Sequence, residues 1–164
     1  MKKAIFSTSS KSSNAKAAYE SVIRYLSRRD HSIKELSQKL SRRYTREAAE
    51  AAIQRADELK FIRSEEFLTK QVSEIFHRRA KGIHFIQAEL KKRGLPSIEV
   101  DADLEISKCK DLLIKKFGET CSFNLRDRSA DAKLKNAKAQ RFLSYRGFDF
   151  ETIQKTLNTW NEKK

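Results

Sequence analysis

A chain of 164 residues that is 38% hydrophobic and 35% charged is thin in apolar material for one compact globule and suits a row of small modules. One proline, four glycines and no period-two alternation exclude a substantial sheet, and the absence of an 18-residue apolar run or a signal-peptide pattern predicts a soluble, non-secreted protein. A net charge of +14 and a pI near 9.9 predict a polyanionic partner, nucleic acid or acidic protein, ahead of anionic lipid, because no segment joins a broad apolar face to a lysine-rich flank.

Residues 1–14 are serine-rich and aperiodic and read as a flexible leader. A first helix is predicted from Ala15 to Arg29. Ser32 and Glu35 form a capping box that opens a second, Ile33 to about Arg43. Thr45 caps a third, whose Ala48, Ala49, Ala52, Ile53, Ala56 and Leu59 make a small-residue face for close packing. Ser64, Glu65 and Glu66 start a fourth helix running to Lys81, Gly82 makes a corner, and Ile83 to Arg93 forms a fifth. Gly94 to Ser97 ends that helix and caps its successor, which continues to Phe117 as one long helix or two short ones. A loop to about Arg128 precedes two final helices, Ala130 to Arg146 and Phe150 to Trp160.

One phrase recurs through these elements at a constant spacing of 3, 4, 3 and 4: Leu26, Arg29, Ile33, Leu36 and Leu40; Phe76, Arg79, Ile83, Ile86 and Leu90; Leu143, Arg146, Phe150, Ile153 and Leu157. Apolar residues so spaced share one helix face, and the break after each Arg turns that face into a helix-turn-helix corner. The expected fold is therefore all-α: tandem three-helix, helix-turn-helix-like units at 15–62, 63–105 and 106–164, forming an elongated, curved molecule. The last unit is either truncated or completed by residues 105–117. The apolar members of the phrase are assigned to the core, and Gly82, Gly94 and Gly147 to turns. Arg29, Arg79 and Arg146 are structural, each placed to bond the last carbonyls of its helix or to pair with a nearby carboxylate.

No catalytic constellation is apparent. His31, His77 and His84 read as surface residues, since His77 and His84, seven apart, make too few ligands for a metal site, and Cys109 and Cys121 lack CxxC spacing. No Gly-rich phosphate loop, H-E-x-x-H or nucleophile elbow occurs. Neither an enzyme nor a metal or cofactor site is expected. Trp160 and Tyr145 are assigned to packing in the last unit, although an exposed aromatic among Lys and Arg is also suited to stacking on a base.

Three stretches now carry a resemblance. Arg29-Asp30-His31-Ser32-Ile33-Lys34-Glu35-Leu36-Ser37-Gln38-Lys39-Leu40 is similar to the Arg-x-x-Ser-x-x-Glu-Leu-x-x-Lys-Leu phrase of the RecX family, regulators of the RecA recombinase. Gly82-x-x-x-Ile86-x-x-Glu89-Leu90-x-x-Arg93-Gly94-Leu95 resembles that family's second signature, and Gln140-Arg141-Phe142-Leu143-x-x-Arg146-Gly147-Phe148 its third. They lie in order over residues 17–160. The chain departs from the family in having Lys60-Phe61-Ile62-Arg63-Ser64 where a glycine, two apolar residues and an acidic pair are usual, and Arg43 where a glycine often ends helix two.

The resemblance implies a small cytoplasmic bacterial protein of tandem three-helix units, a monomer, which lies along the RecA filament on single-stranded DNA. It implies a negative regulator that limits filament growth or promotes disassembly, and so inhibits strand exchange, ATP hydrolysis and RecA-stimulated repressor cleavage in DNA repair and the SOS response. Basic residues of the first two units are the candidates for that surface: Arg24, Arg28, Lys34, Lys39, Arg42 and Arg43, with Arg78, Lys81, Lys91, Lys92 and Arg93. The competing reading of each is a solvated helix face. Two rival functions remain open, a duplex-DNA reader that places a second helix in the major groove, with Ser37, Gln38 or Gln87 at base edges, and a helical adaptor for an acidic protein.

Overall fold

The computed structural model describes residues 11–160. Eight α-helices are present among them: α1 (Ala15–Leu26), α2 (Ile33–Leu40), α3 (Arg46–Glu58), α4 (Glu65–Arg78), α5 (Ile83–Arg93), α6 (Ala102–Phe117), α7 (Ala130–Arg146) and α8 (Phe150–Asn158). The only β pairing among the described residues is an isolated bridge between Ser12 and Tyr44. The fold is all-α and made of helix corners. Residues 1–10 of the expected leader lie outside the described residues; residues 11–14 are tied down, since the Ser12 amide donates to the Arg43 carbonyl (2.8 Å) and Asn14 caps α1 through the Ala17 amide (3.0 Å).

The described residues divide into two compact units, one of residues 11–68 with 93–95, the other of residues 69–92 with 96–160. In the first, Ala18 and Val22 of α1, Leu36 and Leu40 of α2, and Ala48, Ala49, Ala52, Ile53 and Ala56 of α3 share one core. The alanine face of α3 lets it approach α1 closely, because its methyl groups place little bulk opposite Ala18 and Val22. Tyr44 closes the unit from below, with its hydroxyl 2.9 Å from Ser21 Oγ and 3.0 Å from the Ala17 carbonyl. In the second unit, Cys109, Leu112 and Leu113 of α6 share a core with Ala139 and Leu143 of α7, Phe148, and Ile153 and Leu157 of α8. The Trp160 indole packs edge-on to Phe123 and donates to the Cys121 carbonyl (2.7 Å).

Helix ends differ from the sequence expectations for local reasons. The helices stop two or three residues before the limits expected for α1, α2, α4 and α8, because the residues after Leu26, Leu40, Arg78 and Asn158 have turned to close the last carbonyls. The successor of α5 is capped by Asp101 (Leu104 amide to Oδ1, 3.0 Å), not by Ser97, and runs as a single helix from Ala102. Two of the phrase positions assigned to the core are exposed: Ile33 (46%) and Phe150 (75%). Both are the first residue of a helix, where the corner points the side chain outward. Their counterpart Ile83 is buried at a corner that α6 reaches through Glu105. Tyr145, assigned to packing, is 84% exposed.

The missing glycine at Lys60 has a measurable consequence. Lys60 adopts a left-handed backbone (φ 59°), and its amide and that of Phe61 donate to the Asp57 and Ala56 carbonyls, the paired closure that ends a helix on a left-handed residue. Arg43, the other departure, needs no such conformation. Lys60→Gly is therefore expected to raise stability by about 0.5–1 kcal/mol, part of the relief being offset by the entropy of glycine in the unfolded chain. A shift of the urea midpoint to higher concentration checks it.

Candidate functional site

Each corner must satisfy the free amides at the start of its second helix, and the position before that helix holds Ser32, Gly82 and Asp149 in turn. In the first corner Ser32 Oγ accepts from the Glu35 amide (3.2 Å) while Glu35 Oε2 accepts from the Ser32 amide (3.2 Å). The Ser32 hydroxyl also donates to the Arg93 carbonyl, and the Lys34 stem lies against Gly94, so that Lys34 and Arg93 meet at one corner. Arg29 donates to the Asp30 carbonyl (3.0 Å) and to Glu35 Oε1 (2.8 Å). Burial opposes ionisation of Glu35, but hydrogen bonds from Arg29 and the Ser32 amide outweigh it and hold the carboxyl below its ordinary value.

His31 is not a surface residue. It is 3% exposed, edge-on to Tyr25, with Nδ1 3.6 Å from Glu35 Oε2, and burial, helped by the Arg29 charge, lowers its pKa. His77 is partly buried, its pKa lowered by desolvation and then by Lys108, and only His84 among the three stands exposed.

The second corner lacks a capping side chain of its own. Glu105 of α6 supplies it: its Oε2 accepts from the Ile83 amide (2.9 Å), and it forms an ion pair with Lys108, one turn along α6. Lys108 in turn donates to the Lys81 carbonyl (2.8 Å) and lies 3.1 Å from His77 Nδ1. Both charged groups are almost entirely buried. The turn itself is made by Ala80 in a left-handed conformation (φ 49°), not by Gly82. Gly82 serves close approach instead: a Cβ there would collide with the backbone of Gly147 and Phe148.

The third corner turns on Gly147 (φ 91°) and is capped by Asp149, whose Oδ1 accepts from the Thr152 amide (2.8 Å). Corners two and three are joined backbone to backbone. The Gly82 amide donates to the Arg146 carbonyl (3.0 Å), the His84 amide to the Gly147 carbonyl (3.0 Å), and the Arg146 guanidinium to the Arg79 carbonyl (3.1 Å). The three phrase arginines thus do three jobs. Arg29 pairs with a carboxylate, Arg146 binds a carbonyl in the turn that follows α4, and Arg79 lies over the Phe76 ring at 5.9 Å.

Of the eleven basic candidates, Arg24, Arg28, Lys34, Arg42, Arg43, Arg78, Lys91 and Lys92 are exposed, and Lys39, Lys81 and Arg93 are partly buried. Lys39 lies over Tyr25 (4.9 Å) and Lys81 over Phe85 (4.2 Å), so both bury stems while keeping an ammonium at the surface. Arg78 and Lys92 have acidic neighbours on their own helices, Glu74 (3.5 Å) and Glu89 (3.7 Å). Exposed pairs of this kind are worth less than about 1 kcal/mol and exchange readily for a better anion. In the first unit Arg24, Arg28, Lys34 and Arg93 stand on or beside the α1–α2 corner, Lys39 lies near the end of α2, and Arg42 and Arg43 stand in the α2–α3 turn; in the second, Arg78, Lys81, Lys91 and Lys92 lie on α4, α5 and their turn.

Among the described residues no group of three or more His, Cys, Asp and Glu is placed to hold a metal ion, and no helix is long and apolar enough to cross a membrane. Cys109 and Cys121 are buried and unbridged, and burial pushes the Cys109 thiol up to about 12, where it is a packing group.

Tandem helix-turn-helix corners with basic outer surfaces define a class of helical binding and regulatory proteins. The match to known proteins is specific within that class. Residues 18–55 match the family model described as RecX, first three-helix domain. The chain is 32% identical over 148 residues to the regulatory protein RecX of Chlorobium phaeobacteroides (strain BS1), covering 87% of this chain and 93% of that one. It is 33% identical over 144 residues to the regulatory protein RecX of Acinetobacter baylyi, covering 84% of each. The crystal structure of RecX from Lactobacillus salivarius superposes with a TM-score of 0.65 over 87% of this chain and 94% of that one, at 19% identity, which supports the fold. The chain belongs to the RecX family of regulatory proteins.

Proposed function

We propose that this protein is a negative regulator of the RecA recombinase that binds the RecA filament on single-stranded DNA and limits its growth or promotes its disassembly. It acts as a cytoplasmic monomer and carries out no chemistry of its own. What supports the reading most is membership of the RecX family combined with the exposed cations that each compact unit carries on its helix corners. A filament offers phosphates and acidic groups along a repeating track, and cations displayed on rigid corners meet such a track with affinity that falls as salt rises. Arg24, Arg28, Lys34, Arg42 and Arg43 in the first unit, and Lys91 and Lys92 in the second, are its contacts. Lys39, Lys81 and Arg93 reach the same surfaces with their stems buried.

The test is inhibition of RecA strand exchange by two charge-reversed proteins, Arg42→Glu/Arg43→Glu and Lys91→Glu/Lys92→Glu. Each is expected to raise the concentration for half-inhibition about tenfold, corresponding to about 1.4 kcal/mol. Unchanged inhibition by both, with helicity intact, would sink the assignment. A duplex reader is favoured by one observation, the exposure of Ser37, Gln38 and Ser41 on and after α2. It predicts sequence-dependent binding to bare duplex stronger than to RecA-coated strand, and a comparison of the two substrates separates the readings.

A further inference from the structure

Lys138, Arg141, Phe142 and Tyr145 fall at i, i+3, i+4 and i+7 on α7, a single stripe about 10 Å long. Lys116 and Phe117, at the end of α6, face it, and together the six residues line an open groove of about 400 Å3. Three are cations, three are aromatic and none is acidic. Phe117 stands edge-on to Phe142 at 6.5 Å, and Lys116 Nζ lies 3.9 Å from the centre of the Phe142 ring. Tyr145 projects at 84% exposure beside them, an arrangement that hydrophobic packing alone does not favour.

We propose that this groove binds one or two nucleotides of an unpaired DNA strand. A base stacks on the open Tyr145 ring, while Phe142 and Phe117 form the apolar floor on which Lys116 lies, and Lys116, Lys138 and Arg141 hold the flanking phosphates. The combination selects this partner over others. An acidic peptide would satisfy the cations but leave Tyr145 idle, and a duplex hides the base faces that an aromatic ring needs. The groove has the size of a small-ligand site, and its charge is complementary to a strand that carries one phosphate per base. The proposal does not rest on recognition of RecA, and none of the six residues belongs to the corner surfaces assigned above.

Fluorescence anisotropy of a labelled oligothymidylate with the full chain, in the absence of recombinase, tests it. Tyr145→Ala, a change at an exposed position, is expected to weaken binding about tenfold, in the range seen for loss of one stacked base. The wild-type protein is expected to bind an abasic strand of equal length about as weakly as Tyr145→Ala binds the intact one. Lys116→Gln/Lys138→Gln/Arg141→Gln is expected to flatten the dependence of log affinity on log salt by about 2, at roughly 0.7 for each of three phosphates. Equal binding of intact and abasic strands, an unaffected Tyr145→Ala protein, tighter binding of oligouridylate, or binding of polyglutamate in preference to DNA would each overturn the proposal. A Tyr145→Ala protein that loses bare strand yet still inhibits strand exchange refutes neither the groove nor the corner surfaces, and shows them to be separate.

Discussion

Glu105→Ala is expected to destabilise the second unit by about 3–5 kcal/mol, a large part of the stability of a domain this size. Three losses coincide. The Ile83 amide loses its acceptor at the start of α5, the buried Lys108 ammonium loses its counterion, and a small cavity opens beside Cys109. Lys108 retains the Lys81 carbonyl and a contact with His77, neither of which neutralises its charge. Urea unfolding followed by circular dichroism reads the loss. The decisive comparison is Glu105→Leu/Lys108→Met, which removes both charges and fills the space; it is expected to recover more than half of the loss while leaving the Ile83 amide uncapped. If the double replacement is as unstable as Glu105→Ala, the cost lies in the cap and not in the stranded charge.

Gly82→Ala ranks next, at about 2–3 kcal/mol or more. The added methyl meets the backbone of Gly147 and Phe148, and backbone does not swing aside as a long side chain does. Relief requires the two corners to separate, which breaks the hydrogen bonds from the Gly82 and His84 amides. Gly147→Ala meets the Phe85 backbone nitrogen at 2.7 Å and also forces a side chain onto a φ of 91°. Gly118→Ala is the control: its positive φ (88°) with an extended ψ (157°) is a conformation that glycine alone adopts readily, but open space surrounds it, so the cost is backbone strain alone. Thermal melts of the three should rank Gly118→Ala as mildest, and an inversion of that order would show that the corners do not interlock.

Much of this was legible from residue spacing. The phrase of 3, 4, 3 and 4 located every corner, and the Ser32–Glu35 box, the Thr45 cap and the alanine face of α3 appear where their local chemistry places them. Local rules failed where the partner is distant in sequence. Glu105 capping Ile83 lies 22 residues away, and the clue was a vacancy: where Ser32 and Asp149 precede their helices, Gly82 has no side chain to offer. His31 escaped as a surface residue because its burial depends on Tyr25 and Glu35 around the turn. Ile33 and Phe150 are exposed although their place in the phrase assigned them to the core, since a period specifies which face a residue shares and not whether that face is covered, and Tyr145, assigned to packing or to stacking on a base, is exposed as well. The basic candidates were readable as charge, but which of them carry partners on their own helix required side-chain positions.

The borrowed cap bears on how such a protein can be shortened or lengthened. Corners one and three each carry their own capping side chain, Ser32 and Asp149, whereas corner two takes its from α6. A piece ending after α5 would keep every residue of the second helix-turn-helix phrase and still lack the carboxylate that starts its second helix. The repeats are alike as text but not interchangeable as parts, and the helix bearing Lys91 and Lys92 starts on a carboxylate that the chain supplies only beyond that helix's end.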